Sequence, residues 1–201
     1  MLISGYLNEL GSILGVFIPN DLCDIIVGYY DLVSWETNLK WKSPDIIIQS
    51  NNIVTTTDKR SIFLNNEINE GNCIYTFKII ETNSETWGIW FGIYKIKFGN
   101  PRVDTYFSKT QPYCSYCFVN QGILEKNYRV GNTERRYGEE LKRNDILQMI
   151  VDFNQLTLTF GINGRNYGNA FSIEKTTYKA GICMRNSLQT VQFINFQQIL
   201  E

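Results

Sequence analysis

Apolar side chains recur along this chain in two rhythms, one helical near its start and one strand-like over the rest. In residues 18–30, Leu22, Ile25, Ile26 and Tyr29 fall at helical spacing and form one apolar stripe. Asn20 or Asp21 supplies the cap by accepting a hydrogen bond from the first turn, while Gly28 interrupts the helix interior. A weaker helical pattern covers residues 4–14. Residues 1–32 are therefore expected to form a short N-terminal helical extension.

From Trp35 onward the pattern is that of strands and turns. Residues 45–50 are a short apolar run closed by Asn51-Asn52, a pair that tolerates left-handed backbone, and residues 53–57 resume as strand. Residues 73–80 and 88–94 are strand-like, whereas residues 98–113 carry Gly99, Pro101 and Pro112 and read as an irregular exposed connection. The clearest stretch is 145–164. Residues 146–151 form one strand and 152–155 its turn. Residues 156–162 then alternate, with Leu156, Leu158, Phe160 and Ile162 on one face and Thr157, Thr159 and Gly161 on the other. Asn163-Gly164 closes it as a turn dipeptide, because both residues tolerate positive φ. Residues 177–185 and 188–196 give two more strands. Many short strands with frequent turns predict an all-β fold, a two-layer antiparallel β-sandwich over residues 33–201. No long-period repeat or low-complexity linker interrupts it.

Composition narrows the chemistry. The 201 residues are 43% hydrophobic and 14% aromatic, enough for one sizeable core rich in side chains that suit a pleated surface. Nineteen basic residues face 20 acidic ones, and a net charge of −1 argues against nucleic acid, which is bound through a basic excess. The local Arg129, Arg135, Arg136 patch reads as a solvated loop. The absence of histidine removes Ser-His-Asp and Cys-His nucleophiles, imidazole-held zinc and His-based acid–base catalysis. Five cysteines, an odd number without an Asn-x-Ser/Thr sequon, point to a reducing compartment, cytoplasm or nucleus. The start lacks a basic leader, and no stretch reaches the roughly 20 apolar residues that span a bilayer, so no membrane association is expected.

Asn144-Asp145-Ile146, Asp152, Phe160-Gly161-Ile162-Asn163-Gly164 and Gly168-Asn169-Ala170-Phe171 run in order as an Asp opening a strand, an Asp before a turn, a Phe-x-x-Asn-Gly corner and a Gly-x-Ala-Phe. This set resembles the signature of the SPRY family of protein-interaction modules. Val191 to Phe196 resembles its closing Val-x-x-Asn-Phe motif, and Gly71, Tyr75 to Ile79 and Trp90-Phe91-Gly92-Ile93 match upstream strands. Gln148 and Asn144 stand where the family has Gly, and its Pro is missing from residues 178–182. The resemblance covers residues 33–196. It implies a concanavalin-like jelly roll whose loops on one side bind a peptide or protein, with no cofactor and no catalysis. It also implies that Asp145, Asp152, Phe160, Asn163 and Gly164 are framework.

Residues 18–30 also resemble the opening helix of an F-box, Leu-Pro-x-(Asp/Glu)-(Ile/Leu), although the chain turns strand-like by Trp35. Two readings stay open for this segment: helices packing on the sandwich, or a docking helix for a ubiquitin-ligase scaffold adaptor. Cys114-Ser115-Tyr116-Cys117 is a lone C-x-x-C without the further ligands zinc needs. Arg143-Asn144-Asp145 and Asp152-Phe153-Asn154 echo kinase motifs but lie far too close together, and no phosphate loop precedes them. Carboxylate-only chemistry leaves a glycoside hydrolase using Glu139-Glu140, and Trp87 or Tyr113 on a lectin-like surface is the carbohydrate-binding alternative. The preferred contact residues are Arg102, Tyr106, Tyr113, Arg129, Arg135, Arg136 and Tyr137. They lie in the two segments 98–113 and 126–137, where the residue types that dominate interfaces cluster.

Overall fold

A computed structural model of the chain describes residues 33–38, 40, 42–56, 60–82, 88–96, 115–126, 135–184 and 189–199, with backbone only at Asn51, Ser115, Glu125, Lys126 and Arg135. The chain divides into two compact units, Met1–Val33 and Ser34–Glu201. The helices expected in residues 1–32, and with them the F-box resemblance, lie outside the described residues.

The second unit is built of strands: β1 Ile46–Ile48, β2 Ile53–Thr56, β3 Arg60–Phe63, β4 Asn72–Glu81, β5 Ile89–Lys95, β6 Ser115–Val119 and β7 Ile123–Lys126. β8 Arg135–Arg136, β9 Ile146–Asp152, β10 Thr157–Ile162, β11 Arg165–Ser172, β12 Tyr178–Met184 and β13 Gln189–Ile199 follow. They form two sheets, a seven-stranded one in the order β1-β2-β13-β4-β9-β10-β11 and a six-stranded one in the order β3-β12-β5-β6-β7-β8. Every pairing between them is antiparallel. The all-β sandwich expected from the alternation is the observed architecture.

Aromatic rings join the layers. Phe77 of β4 meets Phe91 of β5 at 5.3 Å, Phe118 of β6 meets Phe160 of β10 at 5.3 Å, and Tyr116 meets Phe171 at 5.3 Å. Trp35 leans on Phe77 and Phe193, its indole N–H donating to the carbonyl of Asn52 at 2.7 Å. β4 and β9 alternate buried and half-buried positions as a sheet with one inner face should, but β5 and β12 are buried at every position. Phe63, Trp90, Tyr94, Cys117, Val119 and Cys183 form an apolar cluster there. Register puts them on the side of β5 opposite Phe91, so both faces of these strands are shielded from water.

The motif residues hold corners. Asp145 accepts from the backbone N–H of Lys142 at 2.7 Å and from the Asn163 amide at 2.8 Å, and Asn163 in turn accepts from the N–H of Ile146 at 2.9 Å. With φ of 52° at Asn163 and 81° at Gly164, the turn between β10 and β11 has the left-handed pair that a tight hairpin requires. Asp152 closes its own turn by accepting from the N–H groups of Asn154 and Gln155, both at 2.8 Å. Asn144, which stands where the motif it resembles has glycine, sits at φ 70°, in the left-handed region that asparagine enters more readily than other side chains. Strand β10 begins one residue later than the alternation predicts, because Leu156 is in the turn with φ 53°. Its carbonyl accepts from the N–H of Ile173 at 2.8 Å.

Candidate interaction surface

Strand register decides where the two expected contact segments attach. Tyr94 pairs with Ser115, Tyr116 with Lys126, and Tyr178 with Lys95. The end of β5, the start of β6, the end of β7 and the start of β12 therefore lie side by side at one end of the six-stranded sheet. Residues 97–114 leave and rejoin the sheet at that end, and residues 127–134 leave it there. Arg102, Tyr106, Tyr113 and Arg129 themselves lie outside the described residues, as do Trp87 and Cys114.

The rest of the expected set divides differently. Arg135 and Arg136 form β8, opposite Leu124 and Ile123, and Tyr137 donates its backbone N–H to the carbonyl of Gly122 at 2.8 Å. The run 126–137 thus starts at the loop end and finishes at the other end of β7, about 10 Å away at the usual rise per strand residue. Arg136 is exposed. Tyr137 is half-buried against Phe118, Phe160 and Tyr167, with ring centroids 6.2, 6.3 and 5.9 Å away.

The Tyr137 hydroxyl repairs a flaw in the sheet. Between Thr159↔Asn169 and Gly161↔Asn166 the β10–β11 ladder carries an extra residue on β11, which leaves Phe160 without a backbone partner on that side. The N–H of Phe160 donates to the tyrosine oxygen at 3.2 Å, and the hydroxyl donates to the carbonyl of Gly168. Tyr137→Phe leaves the part-buried N–H of Phe160 without this acceptor, while the exposed Gly168 carbonyl can turn to water, so the substitution is expected to cost about 1 kcal/mol in urea unfolding. A midpoint unchanged from that of the native chain would show that the bulge needs no such partner. Alanine at Tyr137 accordingly reports on folding as well as on any contact.

Two lysines near the loop end are buried: Lys179 of β12, opposite Tyr94, which donates to the carboxylate of Glu36 at 3.2 Å and to the carbonyls of Leu64 and Asn65, and Lys95. Lys95 is the last residue of β5 and shares its inward face with Phe91 and Ile93, yet it is a lysine with a side-chain exposure of 2%. Its ammonium lies 5.4 Å from the centre of the Tyr116 ring and 2.6 Å from the carboxylate of Glu174, whose side chain is 56% exposed. Glu174 is fixed through its backbone: its N–H donates to the Tyr178 hydroxyl at 3.2 Å, and that hydroxyl donates to the Glu174 carbonyl at 3.0 Å. Burial holds the Tyr178 phenol far above its ordinary pKa, so it remains a donor throughout the physiological range. Neither Lys95 nor Glu174 was singled out by sequence. The available signal was a charge closing the otherwise apolar run Ile89–Tyr94 at an inward-facing position.

Other candidate chemistry finds little support in the geometry. Cys117 is buried against Gly92, and burial pushes the Cys73 thiol up to about 12, so at neutral pH Cys73 is an inert thiol. Among the described residues no three His, Cys, Asp or Glu side chains converge as a metal site, and no helix is long and apolar enough to cross a membrane. Glu139 is paired with Arg165 at 2.7 Å, and both described tryptophans, Trp35 and Trp90, are buried rather than presented as flat platforms.

The two-sheet arrangement matches solved structures across most of this chain. The SPRY domain of human HERC1 superposes with a TM-score of 0.60 at 16% identity, covering 74% of this chain and 91% of that one. This is the SPRY fold. The TRIM65 PSpry domain reaches the same TM-score of 0.60 at 8% identity, over 86% of this chain and 99% of that one. The neuralized NHR1 domain of Drosophila melanogaster gives 0.53 at 14% identity, over 81% and 98%. No family model and no curated protein matches by sequence. The likeness is therefore one of fold, at 8–16% sequence identity.

Proposed function

We propose that this chain is a non-catalytic protein-interaction module that captures a peptide or protein at the end of the six-stranded sheet where residues 97–114 and 127–134 attach. The observation that carries this reading is the register Tyr94↔Ser115, Tyr116↔Lys126 and Tyr178↔Lys95, which gathers those attachment points at one end of a rigid SPRY-fold scaffold. Variable segments mounted on packed strands are the usual way a scaffold presents a binding surface. The chain's lack of histidine and the arginine and tyrosine content of these segments fit recognition better than chemistry.

Affinity capture from the native cell, with cross-linking to locate the bound partner, tests the assignment. Alanine at Arg102, Tyr106 and Tyr113 together is expected to abolish capture while the melting temperature stays unchanged. Arg136→Ala, at the far end of β7, is expected to leave capture intact. If the triple variant captures as well as the native chain, recognition lies elsewhere on the sandwich.

A further inference from the structure

We propose that Lys95 is a carboxylate-recognition point at the mouth of the sandwich, and that Glu174 is its internal occupant, exchanged for an Asp or Glu side chain of the bound partner. This rests on the reading that the loop end is the interaction surface, and it adds the chemistry of what is recognised there. Lys95 is almost fully enclosed, and a buried ammonium that loses its anion is strongly disfavoured. The position therefore requires a carboxylate, though not a particular one.

Glu174 suits exchange. Its backbone is held by both hydrogen bonds to Tyr178 whichever way its side chain turns, and its carboxylate reaches Lys95 from the solvent side with more than half of the side chain exposed. Swinging it away gives up the ion pair with Lys95 and leaves both backbone hydrogen bonds to Tyr178 in place. The Tyr116 ring beneath the ammonium keeps the charge aimed at the mouth during the exchange. The incoming group gains a preorganised cation beside the attachment points of both segments.

The sign of one substitution separates this from a merely structural ion pair. Binding is measured on an array of acetylated, amidated octapeptides, each made with Asp or Glu and again with Asn or Gln in its place. The native chain is expected to retain acidic peptides at least tenfold better than their amide twins. Lys95→Met, which keeps the volume and needs no anion, should bring acidic peptides down to the amide level without lowering the melting temperature. Glu174→Gln removes the competing charge but keeps an oxygen for Lys95, and should strengthen acidic-peptide binding severalfold. Acidic and amide peptides bound alike, or Glu174→Gln weakening the acidic ones, would overturn the proposal. Cellular partners captured alongside report on the interaction reading itself. Capture that persists when acidic and amide peptides bind alike removes the exchange and leaves the module standing; loss of capture together with failure of every peptide removes both.

Discussion

Replacing Phe77 by alanine is expected to remove about 3–5 kcal/mol of stability, the range for deleting a fully buried aromatic ring. The ring is fully buried, and it is where three parts of the fold meet: Phe91 from the opposite sheet at 5.3 Å, Phe193 from the neighbouring strand at 5.7 Å, and Trp35 at 6.1 Å. None of these neighbours can follow the lost ring easily. Phe91 is on a strand buried on both faces, Phe193 is on β13 between β2 and β4, and the Trp35 indole is tied to Asn52. A domain of this size is stable by about 5–15 kcal/mol in total, so the variant should unfold at much lower urea concentration or fail to fold at 37 °C. Ile47→Ala is the matched control: its side chain is 55% exposed on the edge strand β1, and it should change stability by less than about 0.5 kcal/mol. Similar losses from the two variants would place the core elsewhere.

Gly92→Ala is expected to be nearly as damaging for the opposite reason. Gly92 pairs with Gly181 of β12 on one side and Cys117 of β6 on the other. A Cβ there would collide with the carbonyl oxygen of Tyr116 and lie 3.1 Å from the Cα of Cys117. The obstacle is backbone, which can retreat only by opening the β5–β6 ladder. Overpacking costs about 1–3 kcal/mol where side chains can yield, so here the loss should be at least about 3 kcal/mol. Gly181→Ala meets the Ile62 carbonyl at 2.6 Å and the Phe63 ring at 2.7 Å and should behave alike. Because β5 and β6 also carry Lys95 and the attachment points of the longer segment, partner capture should fall together with the unfolding midpoint. A native-like midpoint for Gly92→Ala would mean that the strands approach each other less closely than described.

The sequence displayed the parts of this fold that obey period two. Residues 157–162 were readable because Leu158, Phe160 and Ile162 of β10 are buried while Thr157 and Thr159 opposite them are only half-buried, and the Asp145, Asp152 and Asn163-Gly164 corners were readable because each needs a particular side chain to satisfy local backbone. Strand β11 was harder to see. Its bulge destroys alternation, and the long-range partner that repairs the bulge, Tyr137, is 23 residues away from Phe160. Short β3, β7 and β8 carry too few residues to establish any period. The same limit explains the site. Tyr137 had the composition of a contact residue, and only the fold reveals that its hydroxyl is used inside the sheet. Lys95 had the composition of a solvated lysine, and only the register turns it inward.

Among the described residues the two sheets end in four strands, β1, β11, β3 and β8. β1 has only three residues and β8 two, each too short to template a neighbour. β3 is capped by backbone bonds from the preceding segment, Glu36 N–H to Phe63 and Ser43 N–H to Ser61 at 2.8 and 3.1 Å. β11 is the one long edge, and its bulge with Gly168 at φ 80° breaks the even row of amides that an added strand would need. Among the described residues no edge offers an added strand a long, even row of backbone groups. A peptide captured as proposed is then expected to be selected by its side chains, so scrambling its sequence should abolish binding even where its capacity to extend is unchanged.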